Sequence, residues 1–150
     1  MRGSFLKTTD GGNTWRHGDL APCADIVSLF FTDDSTGYAA GYDDIDYAGI
    51  LLKTISGGTS WDTLLYLPNF TGLSSVCFTD DSTGYVGGSH TLLKTVDAGL
   101  TWSVDSVGLG PLYDIDAYGV FFTSRDTGYA ADYMGNLFQT TDAGASWHFQ

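Results

Sequence analysis

Four copies of one eight-residue phrase constrain this chain more than any other feature. They are TTDGGNTW (residues 8–15), TISGGTSW (54–61), TVDAGLTW (95–102) and TTDAGASW (140–147). A second phrase alternates with them: FTDDSTGY (31–38), FTDDSTGY again (78–85) and FTSRDTGY (122–129). The tryptophans lie 46, 41 and 45 residues apart, and Gly37, Gly84 and Gly128 lie 47 and 44 apart. Two interleaved phrases with a shared period define an internal repeat, which must be settled before any element is assigned.

One repeat reads as four short strands. SSVCFT (74–79) alternates small and bulky residues and predicts strand A. DDSTG (80–84) is a turn by composition, and YVGG continues as strand B. Ser89 and His90 make a tight reversal into TLLKT (91–95), strand C. VDAG turns the chain into LTWSVDSV (100–107), strand D. No segment carries helical periodicity over a useful length. The chain has 18 aspartates, no glutamate and 20 glycines. Aspartate and glycine favour turns, whereas glutamate favours helix, so composition supports the same reading. Four strands in about 41 to 47 residues is the pattern of a β-propeller blade, which buries its faces only against neighbouring blades.

The phrase S/T-x-D-x-G-x-S/T-W resembles the Asp-box, or bacterial neuraminidase repeat. Three copies fit it, and the second replaces the aspartate with Ser56. The alternating F-T-D-D-x-T-G-Y phrase resembles repeats of photosystem II assembly-factor-like propellers. The resemblance covers the chain from Phe5 onward. It implies an all-β fold of four-stranded antiparallel propeller blades, about three and a half per chain. The expected units are a half blade (5–17) and three blades (25–67, 73–107 and 116–150). Met1–Ser4 reads as an appended leader.

The resemblance also implies that each box is a C–D hairpin turn. Asp10, Asp97 and Asp142, and more weakly Ser56, would accept turn N–H groups. Gly12, Gly58, Gly99 and Gly144 would take a positive φ. Trp15, Trp61, Trp102 and Trp147 would lock the turns onto the blades. A catalytic reading of the boxes is disfavoured by their number and by the absence of a neighbouring base or nucleophile. The paired carboxylates Asp33/Asp34 and Asp80/Asp81 read as turn residues, because the third repeat replaces them with Ser124 and Arg125.

Strand order places the A–B and C–D loops on one face and the B–C and D–A loops on the other. The second face carries what differs between repeats, and is where a ligand is expected. Its candidate ligand-binding residues are Tyr42, Asp44, Asp46, Tyr47, Phe70, His90, Tyr113, Asp114, Asp132 and Tyr133. Tyrosine beside aspartate suits a carbohydrate or a basic peptide. Two loops contain D-x-D-x-x-G, at 44–49 and 114–119, which resembles part of a calcium loop without its bidentate glutamate. Asp44, Asp46, Asp114 and Asp116 are therefore the candidate metal ligands; solvated loop carboxylates are the alternative. No other cofactor is implied.

Charge narrows the partners. Eighteen acids face six bases, for a net charge of −12. Nucleic acid requires a basic footprint that this chain does not offer. No apolar run reaches the length of a membrane span. Cys23 and Cys77 do not form a disulfide framework, and Cys77 falls where Phe30 and Phe121 stand in the other repeats, so it reads as a buried thiol. The sialidase constellation of three arginines, tyrosine with glutamate, and aspartate is absent. Photosystem assembly has no support either, since the basic patch for the client has no counterpart. The favoured function is a non-catalytic binding or scaffold propeller; a glycoside hydrolase-like segment using loop aspartates is the alternative. The resemblance implies a secreted or periplasmic protein. An arc of blades exposes apolar faces, so self-association into a homo-oligomer, a dimer closing a ring, is expected.

Overall fold

The computed structural model describes residues 2–22, 24–43, 45–69, 71–104 and 117–150. These residues form fourteen strands and no helix. A two-stranded sheet pairs β1 (Arg2–Lys7) with β2 (Arg16–Pro22). Three four-stranded antiparallel sheets follow, each with its strands in sequence order. The first contains β3 (Ala24–Phe31), β4 (Gly37–Asp43), β5 (Gly49–Thr54) and β6 (Asp62–Leu67). The second contains β7 (Leu73–Phe78), β8 (Gly84–Gly88), β9 (Thr91–Thr95) and β10 (Ser103–Val104). The third contains β11 (Gly119–Phe122), β12 (Gly128–Ala131), β13 (Leu137–Thr140) and β14 (His148–Phe149). We refer to these as blades one to three.

Two boundaries depart from the sequence expectation. Arg2 and Ser4, set aside above as leader, pair with Pro22 and Asp19 through the backbone. Backbone pairing needs no particular side-chain pattern, so the apolar periodicity did not reveal it. Strand D starts later than expected in blade two: residues 100–102 complete the turn, among the described residues Ser103 and Val104 pair with β9, and residues 105–107 of the expected strand lie outside the described residues.

The core lies between blades. One cluster joins Tyr38, Ala40 and Leu51 of blade one to Leu73, Val76 and Phe78 of blade two. A second joins Cys77, Tyr85 and Leu92 of blade two to Ala117, Val120 and Trp147 around blade three. A third joins Leu20 and Phe5 to Ile50, Leu52 and Trp61. Strand B is covered on both faces, so β8 is buried throughout and reads as a continuous small or apolar run. Its Gly87 explains the small residues: a Cβ there would meet the Ala117 carbonyl oxygen at 2.2 Å. Cys77 is a free, buried thiol, and burial pushes its pKa up to about 12.

The four repeated turns are wired alike. In the last, the Thr140 hydroxyl donates to Asp142 Oδ1 at 2.8 Å and accepts from the Gly144 N–H at 2.8 Å. Asp142 in turn accepts from the Ser146 N–H at 2.8 Å and the Ser146 hydroxyl at 2.7 Å. Asp97 and Asp10 repeat this network with Thr101 and Thr14. Ser56 keeps a reduced version, its oxygen accepting from the Ser60 N–H at 3.0 Å. The turn glycines Gly12, Gly58, Gly99 and Gly144 have φ of 90, 84, 84 and 81°.

The hydrogen bonds that Asp10, Asp97 and Asp142 accept favour their ionised form. Chiefly through the Thr14, Thr101 and Ser146 side chains, they hold the pKa values of Asp10, Asp97 and Asp142 at about 2, against an ordinary 3.8. A folded-state pKa below the unfolded one stabilises the fold above the unfolded value and loses that contribution as pH falls to the folded one. The melting temperature is therefore expected to fall as acid is taken from about pH 4 to about pH 2. Asp97→Asn and Asp142→Asn should flatten that decline; a melting temperature constant down to pH 2 would refute the assignment.

Candidate functional site

The two faces differ in kind. On the A–B/C–D face the side chains hold the scaffold. Asp33 Oδ1 accepts from the N–H groups of Ser35 and Thr36 at 2.6 and 2.8 Å, and Asp80 Oδ1 does the same for Ser82 and Thr83 at 2.9 and 2.8 Å. In blade three the Ser124 hydroxyl takes the Thr127 N–H at 3.0 Å instead. Arg125 reaches across to Asp80 Oδ2 at 3.0 Å, an exposed cross-blade pair worth about 0–1 kcal/mol. These carboxylates are consumed by turn structure.

The same face carries a repeated latch between blades. The Ala98 carbonyl accepts from Tyr38 Oη at 3.0 Å and from Lys53 Nζ at 2.8 Å. At the next junction the Ala143 carbonyl accepts from Tyr85 Oη at 2.6 Å and from Lys94 Nζ. Ala98 and Ala143 reach these donors with φ of 58 and 56°. Lys53 and Lys94 also lie over the Tyr38 and Tyr85 rings, at 5.2 and 5.4 Å from their centroids. Lys53 and Lys94, which hold equivalent places in blades one and two, are thus structural.

The B–C/D–A face holds a groove of about 590 Å³ lined by Val27, Tyr42, Tyr47, Gly72, Leu73, Ser74, Ser89 and Tyr118. Tyr42 is the penultimate residue of β4 and stacks on Tyr47 of the following loop, with centroids 5.6 Å apart. Tyr47 adopts φ of 55°, and its N–H donates to the Asp43 carbonyl at 3.0 Å, so the loop backbone presents the ring. Tyr118 and Tyr133 meet edge-on at 6.0 Å. His90, with φ of 55°, is exposed in the turn beside Ser89, whose N–H donates to the Gly72 carbonyl at 2.9 Å.

The expected acidic ligands fare differently. Asp132 closes its own turn, accepting from the N–H groups of Met134 and Asn136 at 2.9 and 2.8 Å and from the Asn136 amide at 2.6 Å. Burial opposes its ionisation, but the Asn136 side chain and these N–H groups lower its pKa below the ordinary value. Asp46 accepts from the Ala48 N–H at 3.1 Å and faces Tyr66 Oη at 3.4 Å. Burial and then Asp46 and Asp43 raise the Tyr66 pKa. Asp44, Phe70, Tyr113, Asp114 and Asp116 lie outside the described residues. Among the described residues no three His, Cys or Asp side chains come together as a metal site.

Sequence reasoning missed Tyr118. It occupies the strand A position held by Val27 and Ser74 in the other repeats, at the rim of the groove. Aligning repeats on Phe31, Phe78 and Phe122 places all three together, so the signal was present.

Comparison with known proteins agrees with this architecture. The chain is similar to a solved structure of YCF48 bound to D1 peptide, with a TM-score of 0.72, 23% identity, and coverage of 87% of this chain and 41% of that one. The fold is that of β-propeller blades. A GH74 xyloglucanase from Xanthomonas campestris shares it, with a TM-score of 0.58, 16% identity, and coverage of 83% of this chain and 23% of the enzyme. In sequence, the chain is 29% identical over 146 residues to the photosystem II assembly lipoprotein Ycf48 of Synechococcus sp. (strain CC9902). That match covers 93% of this chain, which spans 40% of the length of the relative. No family model matches.

Proposed function

We propose that the chain is a non-catalytic recognition segment of a propeller, and that it takes a cationic peptide across the Tyr42–Tyr47–Tyr118 groove. The observation that carries this is the groove itself: three tyrosines from two blades converge on the face that varies between repeats. Tyrosines give broad apolar contact with a polar tip, suited to an extended chain. The net charge of −12 favours a basic partner through steering. The likeness to a YCF48 structure bound to a peptide supports the peptide class. The repeated turns fit the Asp-box pattern under this reading, and an extracytoplasmic location goes with the likeness to a lipoprotein.

A carbohydrate is the second reading, supported by the shared fold of the xyloglucanase and by the exposed Tyr47, Tyr118 and Tyr133 rings. Calorimetric titration with lysine- and arginine-rich peptides and with xyloglucan oligosaccharides separates the two. The expected result is peptide binding that weakens with salt and falls about tenfold in Tyr42→Ala and Tyr118→Ala. Binding only of the oligosaccharides, or turnover of them, would overturn the peptide reading.

A further inference from the structure

The junction between β1–β2 and blade one is open where the two later junctions are closed. Phe31, Phe78 and Phe122 hold equivalent places, each edge-on to the tryptophan of its own blade at 6.0, 6.4 and 6.0 Å. Tyr38 stacks on Phe78, and Tyr85 on Phe122, both at 4.0 Å. No described ring takes that place over Phe31. It is 43% exposed against 7% for Phe78, and Leu29 is 53% exposed against 4% for the equivalent Val76.

Half of the latch is already set. Lys7 donates to the Gly57 carbonyl, as Lys53 and Lys94 donate to Ala98 and Ala143. Gly57 has φ of 62° like its counterparts. In blades one and two the lysine strand is paired with the tyrosine strand, Tyr38 opposite Lys53 and Tyr85 opposite Lys94. β1 has β2 on one side and no described strand on the other. The gap is a cavity of about 270 Å³ between Lys7, Leu29, Phe31 and Gly57.

We propose that this groove is a seat for a β-hairpin carrying the Phe-Thr-x-x-x-Thr-Gly-Tyr phrase, docked by strand addition to β1. Continuity with the closed junctions specifies the occupant. Its tyrosine lies opposite Lys7, stacks on Phe31 and donates its hydroxyl to the Gly57 carbonyl. Its backbone pairs the edge of β1 on which no described strand lies, and its apolar residues cover Leu29. The contact is continuous with the established packing of Phe5 and Leu20 against Trp61. The seat and the tyrosine groove share no lining residue, and the proposal does not depend on that groove.

The test uses the full chain and a fluorescein-labelled synthetic hairpin of residues 73–88, with Cys77→Phe to match Phe30 of the first repeat. Anisotropy should show saturable binding at one peptide per chain. Hydrogen exchange should slow along β1, and a Tyr85→Ala peptide should bind roughly tenfold more weakly. Phe31→Ala in the protein should weaken binding similarly, and saturation with a basic peptide should leave it unchanged. No saturation at the solubility limit of the peptide, or equal binding by the Tyr85→Ala peptide, would overturn the proposal. So would a dimer, seen by light scattering, that the hairpin does not dissociate, since a second copy would then cover the groove.

Discussion

Trp147→Ala is expected to lower the free energy of unfolding by about 3–5 kcal/mol, while Trp15→Ala should cost well under about 1 kcal/mol. Both tryptophans close the same eight-residue phrase, so the contrast isolates burial. Trp147 is 1% exposed and packs edge-on against Phe122, inside the cluster that joins blades two and three. Trp15 is 57% exposed. The Trp147 indole N–H has no partner among the described residues, so the loss is one of packing. Urea denaturation of the two variants gives the comparison directly. Equal losses would mean that the tryptophans act through their own turns and not through the blade junctions.

The second large effect is expected at Tyr85. Its ring is fully buried, stacks on Phe122 and lies beneath Lys94, while its hydroxyl donates to the Ala143 carbonyl. Tyr85→Ala removes the ring and should cost about 3–5 kcal/mol. Tyr85→Phe keeps the stack and removes one hydrogen bond, for about 0.5–1.5 kcal/mol. Lys94 still donates to the same carbonyl in that variant, which keeps the loss near the lower end. Tyr38 holds the equivalent place over Phe78 and should show the same ordering. Thermal melts of the four variants decide it. If the phenylalanine variants lose as much as the alanine variants, the hydroxyl and not the ring secures the junctions.

These contrasts mark how much was legible in the chain itself. The period of the two phrases specified four short strands per unit, because turn residues recur where the chain must reverse and apolar residues recur where it must pair. Turn chemistry was equally readable: Thr95, Asp97, Gly99 and Thr101 act within seven residues of one another, so the phrase contains both partners of nearly every bond it makes. The latch was half visible. Lys53 and Tyr38 recur in register, but their shared acceptor at Ala98 comes from the next repeat, and no local pattern names it. The first unit extends beyond its expected bounds, since Arg2 and Ser4 pair with Pro22 and Asp19, and backbone pairing needs no side-chain pattern.

The site was less legible. The variable face followed from strand order, and Tyr42 and Tyr47 were found there because they flank a long loop. Asp132 was expected to serve a ligand, yet its carboxylate closes its own turn. Tyr118 was overlooked because it lies just before β11, at a position aligned with strand A residues of the other blades.

By itself, then, the sequence determined the repeat, the strand count per blade, the turns and the division of loops between two faces. All of these rest on turns and strand pairings within one repeat, the widest joining Arg2 to Pro22, where spacing along the chain stands in for distance in space. Only the tertiary structure decided which tryptophan is buried, which carbonyl each lysine grips, which tyrosines share a groove, and that Phe31 is half-exposed beside a β1 edge on which no described strand pairs. Those depend on packing between blades about 40 residues apart in sequence, as with Tyr38 and Phe78, and a local phrase does not name the residue it meets in the next repeat.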